Sequence, residues 1–176
     1  MNYKVDPVVS VIVTTKNEER NIGACLESVV QQSMPLLEII VVDNYSEDKT
    51  RDIAREYGAE VFEKGPERSA QRNYGVEKAQ GQYILYLDAD MRLSSGLLED
   101  CVNRCAVDAE ISGIYIPEII VGEGFWIKVH KFERRFLEKA LNKMLEVSRR
   151  NLDTSDLIRV MDEDIGVVEF MDIEKT

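Results

Sequence analysis

Residues 83–90 read Tyr83-Ile84-Leu85-Tyr86-Leu87-Asp88-Ala89-Asp90. Five apolar or aromatic residues are followed at once by two carboxylates that one small residue separates. An apolar run of this length is typical of a strand buried in a parallel sheet. In open α/β sheets, ligands bind just beyond the carboxyl ends of such strands. Because two acids there cannot both ionise cheaply without a positive partner, the pattern favours a hard divalent cation that also holds a phosphate group.

The first hundred residues alternate strand-like and helix-like segments, which indicates βαβ units and an α/β fold with a mostly parallel sheet flanked by helices. The predicted strands are residues 8–13, 38–43, 60–62 and 83–88. The predicted helices are residues 21–32, 46–57, 69–80 and a fourth that ends at 106. Ser46 is the expected N-cap of the second helix, and Ser94 or Ser95 that of the fourth.

The later part of the chain carries weaker patterns. In order, they predict a strand region broken by Pro117, a flexible joint, a basic amphipathic helix and a closing strand, at residues 111–121, 122–124, 125–147 and 164–170. We therefore expect residues 1–124 to form an α/β region, and residues 125–176 to form a helical and acidic region that packs on the same domain.

The formal net charge of −11 argues against a nucleic-acid-binding surface. A nucleotide is still compatible with this charge, since one basic cluster and a metal can hold a diphosphate. No apolar stretch is long enough to span a bilayer, and the first residues lack the apolar core of a secretory signal. We expect a cytoplasmic protein. The basic segment 126–150 either packs on the sheet or makes a peripheral contact with the inner face of a membrane.

The three cysteines, Cys25, Cys101 and Cys105, do not form a pattern typical of a disulfide framework or a metal site. We expect them to be buried, unreactive thiols.

Polar residues follow the first two predicted strands directly. Residues 14–19 follow strand one, and Asp43 with Asn44 follows strand two. Polar side chains at these places can line the crevice above the sheet, and a carboxylate there can accept hydrogen bonds from a base or a ribose. The alternative is that both are ordinary turns, in which threonine, asparagine and aspartate are common.

Arg68 and Arg72 lie four residues apart at the start of the third helix. A guanidinium donates two hydrogen bonds to phosphate, and a helix N-terminus favours anions. The alternative is a surface pair balanced by Glu63 and Glu67.

Four segments together resemble family 2 glycosyltransferases of the GT-A fold, in order and with the spacing of that family. The segments are residues 11–19, 38–50, 70–75 and 82–90. The third resembles an Arg-Asn helix segment, Ala70-Gln71-Arg72-Asn73-Tyr74-Gly75, and the fourth carries the metal-binding Asp-x-Asp. The resemblance covers about residues 8–100, and it implies a Rossmann-like, nucleotide-sugar-binding region within residues 1–124.

The resemblance also implies site residues. Those around the nucleoside would be Thr14, Asn17, Glu18 and Asp43. Asp43 would recognise the base, and Arg72 would lie near the nucleotide or diphosphate. Asp88 would contact ribose, sugar or metal, and Asp90 would bind Mg²⁺ or Mn²⁺ that bridges the diphosphate. Lys16 departs from the family, because many relatives have an aromatic ring there that stacks on the base.

The implied reaction is metal-dependent transfer of a sugar from a nucleoside diphosphate sugar to an acceptor hydroxyl, with inversion at the anomeric carbon. The acceptor would be a glycan or a lipid-linked precursor. Such a reaction needs a carboxylate base near the acceptor. The compact candidates are Glu163 and Asp164, in a stretch that can also be read as an acidic exposed tail.

Two other functions are compatible with the sequence. Because the acceptor half is short or divergent, the chain could bind nucleotide sugars without catalysis. A phosphatase of the haloacid dehalogenase type also places Asp-x-Asp after a buried strand, with the first aspartate, here Asp88, as the nucleophile. That family usually has the acid pair on its first strand, whereas here the pair follows the fourth.

Overall fold

The computed structural model describes residues 8–108, 111, 113–116 and 168–172. All of them belong to one of the two compact units into which the chain divides, Met1–Ile116 together with Val167–Thr176. The strands are β1 Val9–Thr15, β2 Glu38–Asp43, β3 Glu60–Glu63, β4 Tyr83–Asp88, β5 Gly113–Ile116 and β6 Val168–Asp172. The helices are α1 Ile22–Val30, α2 Thr50–Glu56, α3 Arg68–Lys78 and α4 Leu97–Val107.

The six strands form one sheet in the order β3-β2-β1-β4-β6-β5. The first four strands along the chain are parallel to one another, whereas β6 runs antiparallel to both β4 and β5. The prediction of a mostly parallel sheet flanked by helices is confirmed. The order of the strands reverses at β1, because β2 and β3 lie on one side of it and β4 lies on the other.

Side chains alternate between the two faces of the sheet, as the geometry of a strand requires. One face packs against apolar residues of α1, α2 and α4, and its buried strand residues include Val11, Val13, Val41, Leu85 and Leu87. The other face carries a second cluster, Ile12, Ile40, Val42, Ile84 and Tyr86, which Tyr74 and Val76 of α3 help to cover. Helices therefore cover both faces, which explains why the parallel strands are almost wholly apolar.

Helix α1 follows the spacing that the sequence predicts. Its buried residues Ile22, Cys25, Leu26 and Val29 recur at the interval that places them on one side of a helix. Cys25, Cys101 and Cys105 are all buried free thiols, as predicted. Burial, together with nearby charges, raises the pKa of Cys25 to about 12 and that of Cys101 to about 11. Among the described residues, no helix is both long and apolar enough to cross a membrane.

Three predicted boundaries are wrong. Strand β1 includes Thr14 and Thr15, which the sequence analysis assigned to the following loop. Helix α2 begins at Thr50 and not after Ser46, because the Ser46 side chain bonds to Asp43. Helix α4 follows Gly96, whose φ of 80° lies in the left-handed region, and neither Ser94 nor Ser95 caps it.

The last two strands correspond in part to the weaker patterns. Strand β5 occupies part of the predicted region 111–121, and β6 lies slightly later than the predicted closing strand 164–170. The chain inserts β6 between β4 and β5, so that a late segment covers the edge of the central strand β4. The predicted joint 122–124 and helix 125–147 lie outside the described residues, and so does the proposed membrane segment 126–150.

The packing of α3 on β1 leaves no room for a side chain at Gly75. A Cβ built there would lie 2.5 Å from Ile12 Cγ2. We expect Gly75→Ala to lower the free energy of unfolding by about 1–3 kcal/mol, because a closely packed interface must shift to admit the methyl group.

Gly23→Ala in α1 is the matched control for this substitution. Its Cβ would make ordinary contacts, the shortest being 3.6 Å to Ile53, and alanine is the better helix former. Urea unfolding of both variants and the wild type measures the difference. Equal stability of the two variants would contradict the close approach of α3 to β1.

Candidate donor-binding site

The carboxyl ends of β2, β1 and β4 lie side by side at one edge of the sheet. Thr15 pairs with Asp43, and Thr14 pairs with Asp88. Neighbouring strands are about 4.8 Å apart, so Asp43 and Asp88 lie roughly 10 Å apart across the intervening strand. The reversal of strand order between β1 and β4 marks the crevice in which α/β sheets bind their ligands.

Asp88 is a buried carboxylate at the end of β4 with three partners. The Thr14 hydroxyl donates a hydrogen bond of 2.8 Å to Oδ1. Arg68 donates a bond of 3.3 Å to Oδ2, and an Arg72 guanidinium nitrogen lies 3.6 Å from Oδ1. These cations compensate the buried charge within the protein. The sequence analysis looked to a metal for that role and missed the arginines as partners of Asp88.

Arg72 is positioned by more than its carboxylate partner. Its side chain is 16% exposed, and the guanidinium carbon lies 5.7 Å from the centre of the Tyr86 ring. Within the described part of the chain, one of its terminal nitrogens is buried without a hydrogen-bond partner. Arg68 is more open, with half of its side chain exposed. The N-terminal half of α3 therefore presents two guanidinium groups to the crevice, and the Arg72 nitrogen that faces Asp88 makes no hydrogen bond within the described ranges.

Asp90 differs from Asp88 in being exposed, although only Ala89 separates them. Among the described residues it has no hydrogen-bond or ion-pair partner. Burial is the largest cause of the raised pKa of Cys25, and the negative charges of Asp90 and, to a smaller extent, Asp88 raise that pKa further. The Cys25 thiol packs against the end of β4, where its sulfur lies 3.7 Å from the Asp88 carbonyl oxygen. No group of three or more histidine, cysteine or acidic residues in the described ranges can form a complete protein metal site.

Backbone and side-chain bonds tie the loop after β1 to the loop after β2. Asn17, with a φ of 53°, donates its backbone N–H to Ser46 Oγ at 2.7 Å and accepts the Glu47 N–H on its side-chain oxygen at 2.9 Å. The Glu18 N–H bonds to Thr50 Oγ1 at 2.8 Å, and the Glu18 carboxylate accepts a bond from Asn21. These bonds hold Asn17 and Glu18 at the crevice, and the side chains of both residues accept hydrogen bonds from loop residues.

Asp48 joins the same two loops. Its carboxylate accepts the backbone N–H groups of Thr50 and Glu19 and also the Thr50 hydroxyl. Desolvation alone would raise the pKa of Asp48, but these hydrogen bonds outweigh it and hold the pKa below its ordinary value. Asp48 thereby supplies the acceptor at the start of α2 that the sequence analysis assigned to Ser46.

Asp43 is enclosed at the end of β2. It has no exposed surface, one carboxylate oxygen accepts the Ser46 N–H at 2.7 Å, and the other accepts the Ser46 hydroxyl. Arg51 lies 3.8 Å away and also pairs with Glu63. In this arrangement Asp43 shapes the loop, and because its carboxylate is fully buried, a direct contact with a base requires the surrounding loop to move.

Gln71 is a structural residue of the site that the sequence analysis overlooked. Its buried amide donates bonds to the carbonyl oxygens of Thr15, at 3.1 Å, and Val42, at 2.6 Å. It therefore ties α3, and with it Arg68 and Arg72, to the ends of β1 and β2. The signal was its spacing, because Gln71 lies four residues before Gly75 on the face that packs against the sheet. Glu163 and Asp164 lie outside the described residues.

Comparisons with known proteins agree with this geometry. The profile of glycosyl transferase family 2 matches residues 10–165. Glycosyltransferase AglE of Haloferax volcanii is 38% identical over 93 residues, which is 48% of this chain and 31% of the relative. The chain spans about a third of the length of the first curated relatives that it matches.

Two solved structures are similar in fold. S. aureus TarS 1-349 in complex with UDP-GlcNAc has a TM-score of 0.59 and 28% identity, over 67% of this chain and 36% of that one. The mannosyltransferase PcManGT of Pyrobaculum calidifontis, in complex with GDP-Man and Mn²⁺, has a TM-score of 0.55 and 27% identity, over 66% and 37%. The fold is that of the GT-A glycosyltransferases, and this chain belongs to glycosyl transferase family 2.

Proposed function

We propose that this chain binds the donor of a metal-dependent glycosyltransferase, which moves a sugar from a nucleoside diphosphate to an acceptor hydroxyl with inversion. The observation that carries the proposal is the charge arrangement at the end of β4. There Asp88 is buried between two arginines, and Asp90 is exposed beside it. The nucleotide sugars bound by TarS and PcManGT support a donor of this class.

The nucleoside would lie over the ends of β1 and β2. Thr14, Asn17, Glu18 and Asp43 border this part of the crevice, and the bonds between the two loops hold it in shape before a ligand arrives. A binding surface that is already ordered loses less conformational freedom on binding. The base would reach Asp43 itself only if the loop that encloses it moved.

The diphosphate would lie at the first turn of α3. Arg68 and Arg72 offer the planar, bidentate donors that suit phosphate oxygens, and the N-terminus of the helix adds a favourable field. The Arg72 terminal nitrogen that lies 3.6 Å from Asp88 is buried and makes no hydrogen bond to the described residues, which supports this placement because a phosphate oxygen would supply that bond. Asp88, already paired, would keep both guanidinium groups oriented.

The residues present fit a divalent cation that the protein and the donor hold together. Asp90 is exposed and free of partners in the described part of the chain, and Asp88 is its neighbour. Mg²⁺ is usually held by one or two carboxylates together with substrate phosphates and water, so a complete protein cage is not needed. When bound, such an ion neutralises negative charge on the leaving diphosphate.

The chemistry of transfer also needs a base for the acceptor hydroxyl. Glu163 and Asp164 stay the predicted candidates for that base, and a glycan or lipid-linked precursor stays the predicted acceptor. Attack on the anomeric carbon from the side opposite the diphosphate would invert its configuration. The described residues supply the other half of the reaction, which is to orient the donor and to stabilise its leaving group.

Asp90→Asn tests the metal-dependent part of this function. We expect the Mn²⁺-dependent gain in affinity for UDP and GDP to fall at least about ten-fold, which corresponds to about 1.4 kcal/mol. Stability should change by less than about 0.5 kcal/mol, because the side chain is exposed and unpaired. Isothermal titration with and without Mn²⁺ measures the affinity. Asp100→Asn is the control, because Asp100 is an exposed acid that lies in α4, away from the end of β4. An equal Mn²⁺-dependent affinity of both variants for UDP and GDP would refute the role of Asp90.

Arg72→Lys tests the diphosphate contact. Lysine keeps the charge but lacks the planar fork, so we expect about ten-fold weaker binding of UDP and GDP and little change for uridine and guanosine. Arg55→Lys is the control, since Arg55 pairs with Asp52 on the exposed side of α2. An equal loss for nucleosides and nucleoside diphosphates would show that Arg72 does not contact the diphosphate. Binding of nucleotide sugars with no turnover on any acceptor would reduce the function to a binding module.

A further inference from the structure

Tyr45 is an exposed aromatic residue at the edge of the candidate site. It is 60% exposed, and it is the only exposed aromatic residue among those whose side chains the structure describes. Large aromatic rings usually bury most of their surface, because this contributes strongly to stability. Because it is mostly exposed, the Tyr45 side chain contributes little to the stability of the core.

The backbone of Tyr45 also lies in an unfavourable conformation. Its φ of 50° is in the left-handed region, which is unfavourable for a bulky L-residue but not for glycine. The loop between β2 and α2 requires this turn, yet the chain places a tyrosine at the position. Strain of this kind clusters at binding and catalytic sites, where the surrounding structure holds the residue in the unfavourable conformation.

The surroundings of Tyr45 place it beside the crevice. Asp43, at the end of β2, lies two residues before it, and Ser46, directly after it, accepts the backbone bond from Asn17. A Cβ built on Gly65 would lie 3.4 Å from Tyr45 Cε2, so the edge of the ring rests against Gly65. Gly65 belongs to the segment that leads into α3. The ring therefore lies between the end of β2 and the approach to the helix that carries the two arginines.

The charges of the site fix which end of a ligand would reach this ring. The cationic end lies at Asp88, where Arg68 and Arg72 meet, two strands away from β2 and roughly 10 Å across the sheet. The loop after β1, residues 16–21, contains no aromatic residue. If phosphates lie at the arginines, the opposite end of the ligand lies over the end of β2. The aromatic surface that the structure offers there is Tyr45.

We propose that Tyr45 is the stacking platform for the nucleobase of the donor and thereby contributes affinity for nucleotides of either base class. This inference rests on the proposed function, since it assumes a nucleoside diphosphate in the crevice. Every base has a flat π-face, so stacking on a tyrosine contributes affinity with little discrimination between bases. The protein should consequently accept both pyrimidine and purine nucleotides at this position.

Tyr45→Gly distinguishes a loss of nucleotide binding from a loss of stability, because we expect binding to weaken and stability to increase. Removal of the ring should weaken binding of UDP and GDP about ten-fold, within the usual range for loss of a base-stacking contact. The same change should raise the midpoint of urea unfolding, since glycine adopts the left-handed conformation without strain. Inorganic pyrophosphate, which has no base, should bind equally to the variant and the wild type. Tyr45→Phe should restore the affinity for both nucleotides, and Tyr45→Asn, which tolerates the turn but lacks a ring, should not.

Isothermal titration with UDP, GDP and pyrophosphate distinguishes the outcomes. Unchanged affinity of Tyr45→Gly for both nucleotides overturns the stacking role while leaving the proposed function intact. An equal loss for pyrophosphate also overturns it, because the defect would then lie in the shape of the loop. Wild-type protein that binds neither nucleotide would refute the proposed function itself, and the inference with it.

Discussion

The compensation of one buried carboxylate governs the geometry of this site. Asp88 ends a strand in the middle of the sheet, where an unpaired charge would cost several kcal/mol. The Thr14 hydroxyl from β1 and the guanidinium groups of Arg68 and Arg72 from α3 supply its partners. Because these groups come from separate elements, the pairing holds β1, β4 and α3 in register at the crevice. Asp90, two residues further on, is exposed and takes no part in this pairing.

The remaining parts of the site are arranged by hydrogen bonds that join strand ends, loops and α3. The Gln71 amide joins α3 to the ends of β1 and β2, and bonds to Ser46 and Thr50 join the loops that follow those strands. Backbone groups at the ends of strands have no partners within the sheet, so side chains must satisfy them. In this protein that requirement also builds a rigid rim around the crevice. The polar residues there stabilise the fold and shape the site together.

The two acids at the end of β4, Asp88 and Asp90, differ in how far they are buried. Asp88 is enclosed and already paired with two guanidinium groups, whereas Asp90 is exposed. A similar contrast separates Asp43 from Tyr45 on the neighbouring strand. Asp43 is enclosed by its bonds to Ser46, and Tyr45 projects into the open. In both pairs, the enclosed acid shapes the local structure and the other residue stays exposed.

The order and type of the elements up to α4 could be read from the sequence, because apolar periodicity and strand length are local properties. The apolar run 83–87 and the helical spacing of Ile22, Cys25, Leu26 and Val29 are examples. The strand ends at Asp43 and Asp88 were also predicted, and parallel strands bring such ends to one edge, whereas Thr14 and Thr15 were assigned to a loop although they belong to β1. Boundaries set by loop bonds, such as those at Ser46 and Gly96, were not.

The partners of these residues were decided only by the tertiary structure. Arg68 is 20 residues away from Asp88 in sequence, and α3 must cross the sheet before the two can meet. The enclosure of Asp43 depends on how the loop after β2 folds back on it. Strand β6 pairs with β4 ahead of β5, although no local pattern encodes which edge a late strand will cover. Pairings between distant segments depend on the packing of the whole unit, and for that reason the charge balance of the site appears only in three dimensions.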